Sequence, residues 1–119
     1  MRHVAARSIN NKESETRSLT EPVLLILLSL ADQPRHGYGL MKNIEELSGG
    51  RVRVSTGTLY GALRRLLEDT WIERHVQADT SREKQAYRLT RAGLKALRTE
   101  LDRMKQLTRA GARIKTLEA

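Results

Sequence analysis

A mainly α-helical chain carrying one small β-hairpin is what this sequence predicts, on three observations. Three apolar segments, each bounded by a cap or a break, fill residues 20–67. Two short alternating runs then flank a polar connector at residues 78–83. A long stripe of Leu and Met at spacings of three and four follows.

Residues 1–19 are polar, carry four basic and two acidic groups, and lack apolar periodicity; a loosely docked basic arm without a signal-peptide core is expected there. Thr20 stands at an N-cap position, with Glu21 in the positive first turn and Pro22 suited to a helix start. The first helix, through Val23 to Leu30, is apolar nearly all round and has to be enclosed on several sides. In a domain this small, a second subunit is the simplest source of part of that cover, over Leu24, Leu27 and Leu28.

Asp32-Gln33-Pro34 breaks the first helix. The second starts near His36-Gly37, sets Leu40, Met41, Ile44 and Leu47 on one face, and ends at Gly49-Gly50 as a left-handed cap would. Arg51 to Val54 suits a short strand or an extended link. Ser55 then caps a third helix with a core stripe of Leu59, Ala62, Leu63, Leu66 and Leu67. Its other face holds Thr56, Gly57, Tyr60, Gly61 and Arg64. Two glycines cost a helix stability, so their placement there points to close approach by a partner.

Trp71–Gln77 and Lys84–Leu89 read as the two strands of the hairpin, with Ile72 and Val76 on one face of the first and Gln85, Tyr87 and Leu89 on one face of the second. Thr90 caps the last helix, whose Leu94, Leu97, Leu101 and Met104 make a coiled-coil-like seam that continues less clearly through Leu107, Ile114 and Leu117. Helix, helix, helix, hairpin, helix is the order of a winged helix-turn-helix followed by a dimerisation helix. The implied division is an arm at 1–19, a winged domain at 20–90, and a dimerisation helix with its tail at 91–119.

Composition narrows the partner. The chain of 119 residues has a net charge of +8 and a pI near 10.4, which favours polyanions. Aromatic residues make up only 3% and Phe is absent, whereas single-stranded nucleic acid is usually held by stacking on aromatic rings. Duplex DNA is the better match, read by the third helix in the major groove. The absence of Cys excludes disulfides, zinc ribbons and thiol nucleophiles, and fits a reducing cytoplasm. No apolar stretch is long enough for a membrane span.

Enzyme motifs are unconvincing. Gly37-Tyr38-Gly39 lacks the third glycine of a dinucleotide loop, since Lys42 stands in its place. Ser81-Arg82-Glu83-Lys84 matches S-x-x-K but falls in a hairpin without its companion motifs. His3, His36 and His75 have no metal-ligand spacing. No cofactor or metal is expected.

Three segments resemble the PadR family of regulators: Leu30 to Gly39 with its His36-Gly37-Tyr38, Ser55 to Leu66 in the third helix, and Tyr87 to Gly93 at the strand-to-helix junction. The resemblance spans about residues 20–108. It implies a repressor dimer on an inverted-repeat operator, released by a small-molecule effector or another signal. The single C-terminal helix resembles the family's short subfamily, whose last helix packs against the partner's first. Two departures stand out. Gln85 and Ala86 occupy positions that are richer in Arg and Tyr in many relatives. Trp71 lies in the hairpin rather than in the last helix, where some drug-binding relatives stack ligands.

On this frame Tyr60 and Arg64, at i and i+4, are candidates for base readout, against an ordinary surface pair. Ser55, Thr56, Gly57 and Thr58 sit where a helix N-terminus favours phosphate; Ser55 is chiefly a cap and Thr56 the better DNA contact. Tyr38 reaches phosphate or else is a core tyrosine. Arg82 and Lys84 at the hairpin tip are candidates for groove or phosphate contact, against a solvated loop. Trp71 is expected to plug the core. A basic winged helix without a unique operator is the rival to a specific regulator.

Overall fold

A computed structural model describes residues 19–75 and 85–114. In chain order they form α1 (Glu21–Ala31), β1 (Arg35–His36), α2 (Gly37–Leu47), α3 (Thr56–Glu68), β2 (Ile72–His75), β3 (Ala86–Leu89) and α4 (Arg91–Gly111). The architecture is mainly helical, with a small antiparallel sheet in the order β1-β3-β2.

Local chemistry sets most of the boundaries. The Ser55 hydroxyl accepts from the Thr58 N–H at 3.1 Å, and the Thr90 hydroxyl accepts from the Gly93 N–H at 3.1 Å, each satisfying a free donor of the first turn. Thr20 holds the N-cap position of α1 through its extended backbone alone, without a side-chain cap bond. At the end of α2, Gly49 (φ 65°) and Gly50 (φ 82°) take the left-handed conformation that the paired glycines predict. Arg51 to Val54 forms no strand and is the extended link. Residues 76–84 and 115–119 lie outside the described set, so the far ends of the expected hairpin strands, and Leu117, are not placed.

The sheet has one strand more than the sequence reading. β1 pairs with β3, Arg35 opposite Tyr87 and His36 opposite Ala86, while β2 pairs with β3 from Ile72–Leu89 to His75–Ala86. A two-residue strand between Pro34 and a helix start carries no period of its own, which is why it was not legible. Tyr87 is buried as its predicted face requires, and Leu89 is half-buried. Ala86, on the opposite face, is buried too, because His36 and His75 flank it in neighbouring strands.

The expectation that α1 needs a second subunit for cover is corrected. Leu24, Leu25, Ile26, Leu27 and Leu30 are all buried in the single chain, because α1 is central and packs against α2, α4 and β3. Leu27 is 0% exposed and Leu24 only 8%, so neither offers a partner any surface; Leu28 alone of that trio is half-buried. Leu97 of α4 likewise belongs to this core. Polar groups at the same centre are matched: the Asn43 amide donates to the Ser29 hydroxyl at 2.9 Å, and Arg35 Nε donates to the Ser29 carbonyl at 2.6 Å, locking α1 to α2 and β1.

α4 leaves the body only beyond Leu101, which still packs on the core. Glu100 is buried and accepts from Arg103 and from the Leu19 N–H. Met104, Leu107 and Ile114 are then 40%, 58% and 54% exposed. No helix of the described residues is long and apolar enough to cross a membrane.

Candidate nucleic-acid interface

Burial of Leu59, Leu63 and Leu66 fixes how α3 lies, turning Gly57, Gly61, Arg64 and Glu68 outward. A β-carbon built on Gly57 or Gly61 would meet nothing within 4 Å. The glycines are therefore not demanded by packing within the chain, and they leave a shallow strip along the outward face on which another surface can approach the backbone. Tyr60 borders one side of that strip and Arg65 the other.

Thr56 opens the helix with an exposed side chain. Ser55 and Thr58 are committed to each other: the Ser55 hydroxyl donates to Thr58 Oγ1 at 3.0 Å while accepting from the Thr58 N–H. Thr58 thus serves the cap as much as Ser55 does.

Several arginines of the described residues are held in ion pairs. Arg35 pairs with Asp32, Arg51 with Glu21, Arg53 with Glu45, Arg88 with Glu73 and Arg103 with Glu100. The Arg51–Glu21 pair is bidentate; its hydrogen bond to Arg51 holds the Glu21 carboxyl below its ordinary range. Arg64 and Arg65, by contrast, make no ion pair with any described residue. An unpaired guanidinium keeps its donors free for phosphate or a guanine edge. Arg65 carries no signal of its own in the sequence, because its position flanks the outward face instead of lying on its centre line.

Tyr38 is 73% exposed, which excludes the core-tyrosine alternative, and the Lys42 amine lies 5.9 Å from its ring centre. Lys42 is a second residue the sequence did not single out. Tyr60 is 41% exposed, and its hydroxyl lies against the backbone of Gly37, at the start of α2. The phenol thus bridges α3 and α2. Burial, with Tyr60 adding to the effect and Arg74 opposing it, holds the Tyr87 hydroxyl above its ordinary range. Trp71 is half-buried and packs on the core, as expected. Arg82 and Lys84 lie outside the described residues.

Comparison with known proteins accords with this arrangement. The profile of the transcriptional regulator PadR-like family matches residues 26–99. A PadR family transcription regulator from Clostridium difficile superimposes with a TM-score of 0.66 at 20% identity, covering 80% of this chain and 98% of that one. A transcriptional regulator from Clostridium thermocellum gives 0.64 at 22% identity, with 76% and 89% covered. Bacillus subtilis PadR, solved in complex with operator DNA, gives 0.58 at 24% identity, with 66% of this chain and 45% of that one covered. At these identities the likeness is one of fold. An uncharacterised protein of a Streptomyces fradiae transposon is 51% identical over 43 residues, which span 36% of this chain but only 12% of that protein. Fold, outward helix face and profile agree, and the chain belongs to the PadR-like family of transcriptional regulators.

Proposed function

We propose that this protein is a sequence-specific repressor that binds double-stranded DNA as a homodimer on an inverted-repeat operator, in the cytoplasm. The observation that carries this is the outward face of α3, where two glycines leave an unobstructed strip beside the unpaired Arg64 and Arg65. Arg64 reads a base edge, worth roughly 1–3 kcal/mol of discrimination. Thr56 and the free N–H groups of the first turn take phosphate, and Gly57 lets the backbone close on it. Tyr38, with Lys42 beside it, contacts the flanking backbone from α2. Tyr60 borders the readout strip while holding α3 against α2. Arg82 and Lys84 extend the contact from the hairpin tip.

Dimerisation draws on the apolar surface of α4 that the chain itself leaves uncovered. Leu94 and Leu101 are half-buried and Met104 is exposed; Leu28 contributes from α1. The two α3 helices then address successive major grooves about 34 Å apart. A small-molecule effector that relieves repression completes the reading.

Selection of bound sequences from a random duplex library, with full-length protein at near-physiological salt, tests it. Recovery of one inverted repeat, bound about 10³-fold or more above random duplex, is the expected result. Binding without any recovered motif would instead mark a winged helix of general DNA affinity, whose signature is a steep salt slope.

A further inference from the structure

The two faces of the hairpin treat their arginines differently. Register sets Glu73 opposite Arg88 and Arg74 opposite Tyr87, so Arg88 and Arg74 lie on opposite faces of the β2–β3 pair. On one face the Glu73 carboxylate accepts from Arg88 Nε at 2.6 Å and cancels its charge. On the other, Arg74 Nε donates at 3.1 Å to the side-chain oxygen of Gln85, diagonally across the pair. Gln85 is neutral, and Arg74 makes no ion pair with any described residue. The charge of Arg74 therefore survives the contact that holds it.

This face is also the one turned toward the reading helix. Ile72 and Tyr87 on it are buried in the core, and the Tyr87 hydroxyl has Tyr60 of α3 and Arg74 as its ionisable neighbours. Arg74 itself is exposed. Resting on the DNA-binding reading above, we infer that Arg74, braced by Gln85, is a phosphate-binding residue of the hairpin that grips the duplex backbone alongside α3. Three features carry this. A helix with its side chains fills a major groove about 12 Å wide, so a group beside it meets the backbone at the groove's edge rather than the bases. A guanidinium presents its N–H donors in a rigid fork; Gln85 takes the one on Nε and leaves both Nη groups, the pair that suits two phosphate oxygens. The brace also fixes the side chain before DNA arrives, so less rotamer freedom is lost on binding.

Gln85→Glu separates this role from a merely structural one. A carboxylate accepts from Arg74 Nε at least as well as the amide does, so the urea midpoint should hold or rise. The guanidinium is then neutralised as Arg88 is, and affinity for a short random-sequence duplex should fall. Arg74→Gln, at an exposed position, should leave far-UV circular dichroism unchanged. For each bound subunit it should weaken binding to that duplex about fivefold at about 0.15 M salt and lower the slope of log K against log salt by about 0.9, the share of one phosphate contact. Arg74→Lys, which keeps the charge without the fork, should restore the slope and only part of the affinity. Gln85→Ala should weaken binding in the wild-type chain but not in Arg74→Gln, since the brace acts only through the guanidinium. Unchanged slope and affinity in Arg74→Gln would overturn the assignment and leave the DNA-binding reading standing. Full affinity in a folded Gln85→Glu would overturn it as well. A wild-type chain that binds no duplex in the same titration would remove the DNA-binding reading, and this contact with it.

Discussion

The Tyr60 hydroxyl occupies the space that a β-carbon on Gly37 would need. A residue of the reading helix and the first residue of α2 are thus fitted to each other, and the angle between the two helices depends on that fit. Gly37→Ala is expected to destabilise the fold by about 1–3 kcal/mol, as overpacking does. Combined with Tyr60→Ala, the same substitution should become neutral or stabilising, because alanine is the better helix former. Urea unfolding of the four proteins in a double-mutant cycle measures the coupling, and additive effects would deny the fit.

Gly61 makes the opposite prediction, since a β-carbon there meets nothing within the chain. Gly61→Ala should stabilise the free protein by about 0.5–1 kcal/mol while weakening operator binding. Thermal melts and a binding titration on the same preparation separate the two effects. A rise in stability with unchanged affinity would show that nothing approaches this part of the helix closely.

Arg64→Ala should lose operator affinity by about 1–3 kcal/mol and leave binding to random duplex much less affected, as expected for a side chain that reads a base. Arg65→Ala, lying to one side, should weaken both together and flatten the salt dependence. Equal loss on the two DNAs for Arg64→Ala would reassign it to the phosphates.

Glu100 sets an acid limit on stability. Its hydrogen bonds from Arg103, with further help from the Leu19 N–H, hold the carboxyl below its ordinary range against the opposing effect of burial. A carboxyl lowered in the folded state contributes stability that is present above its unfolded value of about 4.5 and is lost as pH falls through its folded value. Glu100→Gln should therefore cost on the order of 1 kcal/mol at neutral pH and progressively less in acid. Denaturant midpoints of both proteins across pH would check this, and parallel curves would show that the pair contributes nothing.

What the sequence made legible was whatever rested on period or on a single decisive residue. The Ser55 and Thr90 caps, the break at Asp32-Gln33-Pro34, the glycine pair after α2 and the outward face of α3 all follow from local rules. Other features depend on distant partners. β1 forms only because Tyr87 and Ala86 come alongside Arg35 and His36. Thr70 takes a positive φ of 61° between α3 and β2, where a β-branched residue gives no warning of it. The error over Leu24 and Leu27 has the same root: an apolar helix announces that it must be enclosed, but not by which elements. Arg65 and Lys42 are not legible as site residues, because a charged side chain on a helix signals little until its neighbours show whether it is paired.

The strand β1 has a further consequence for how the domain opens. It joins the segment leading into α2 to β3 of the hairpin, and Arg35 at its start also grips the Ser29 carbonyl of α1. The hairpin is therefore no detachable flap. Its backbone amides and those at the entry to α2 belong to one cooperative unit, and should surrender their protons to heavy water together or not at all.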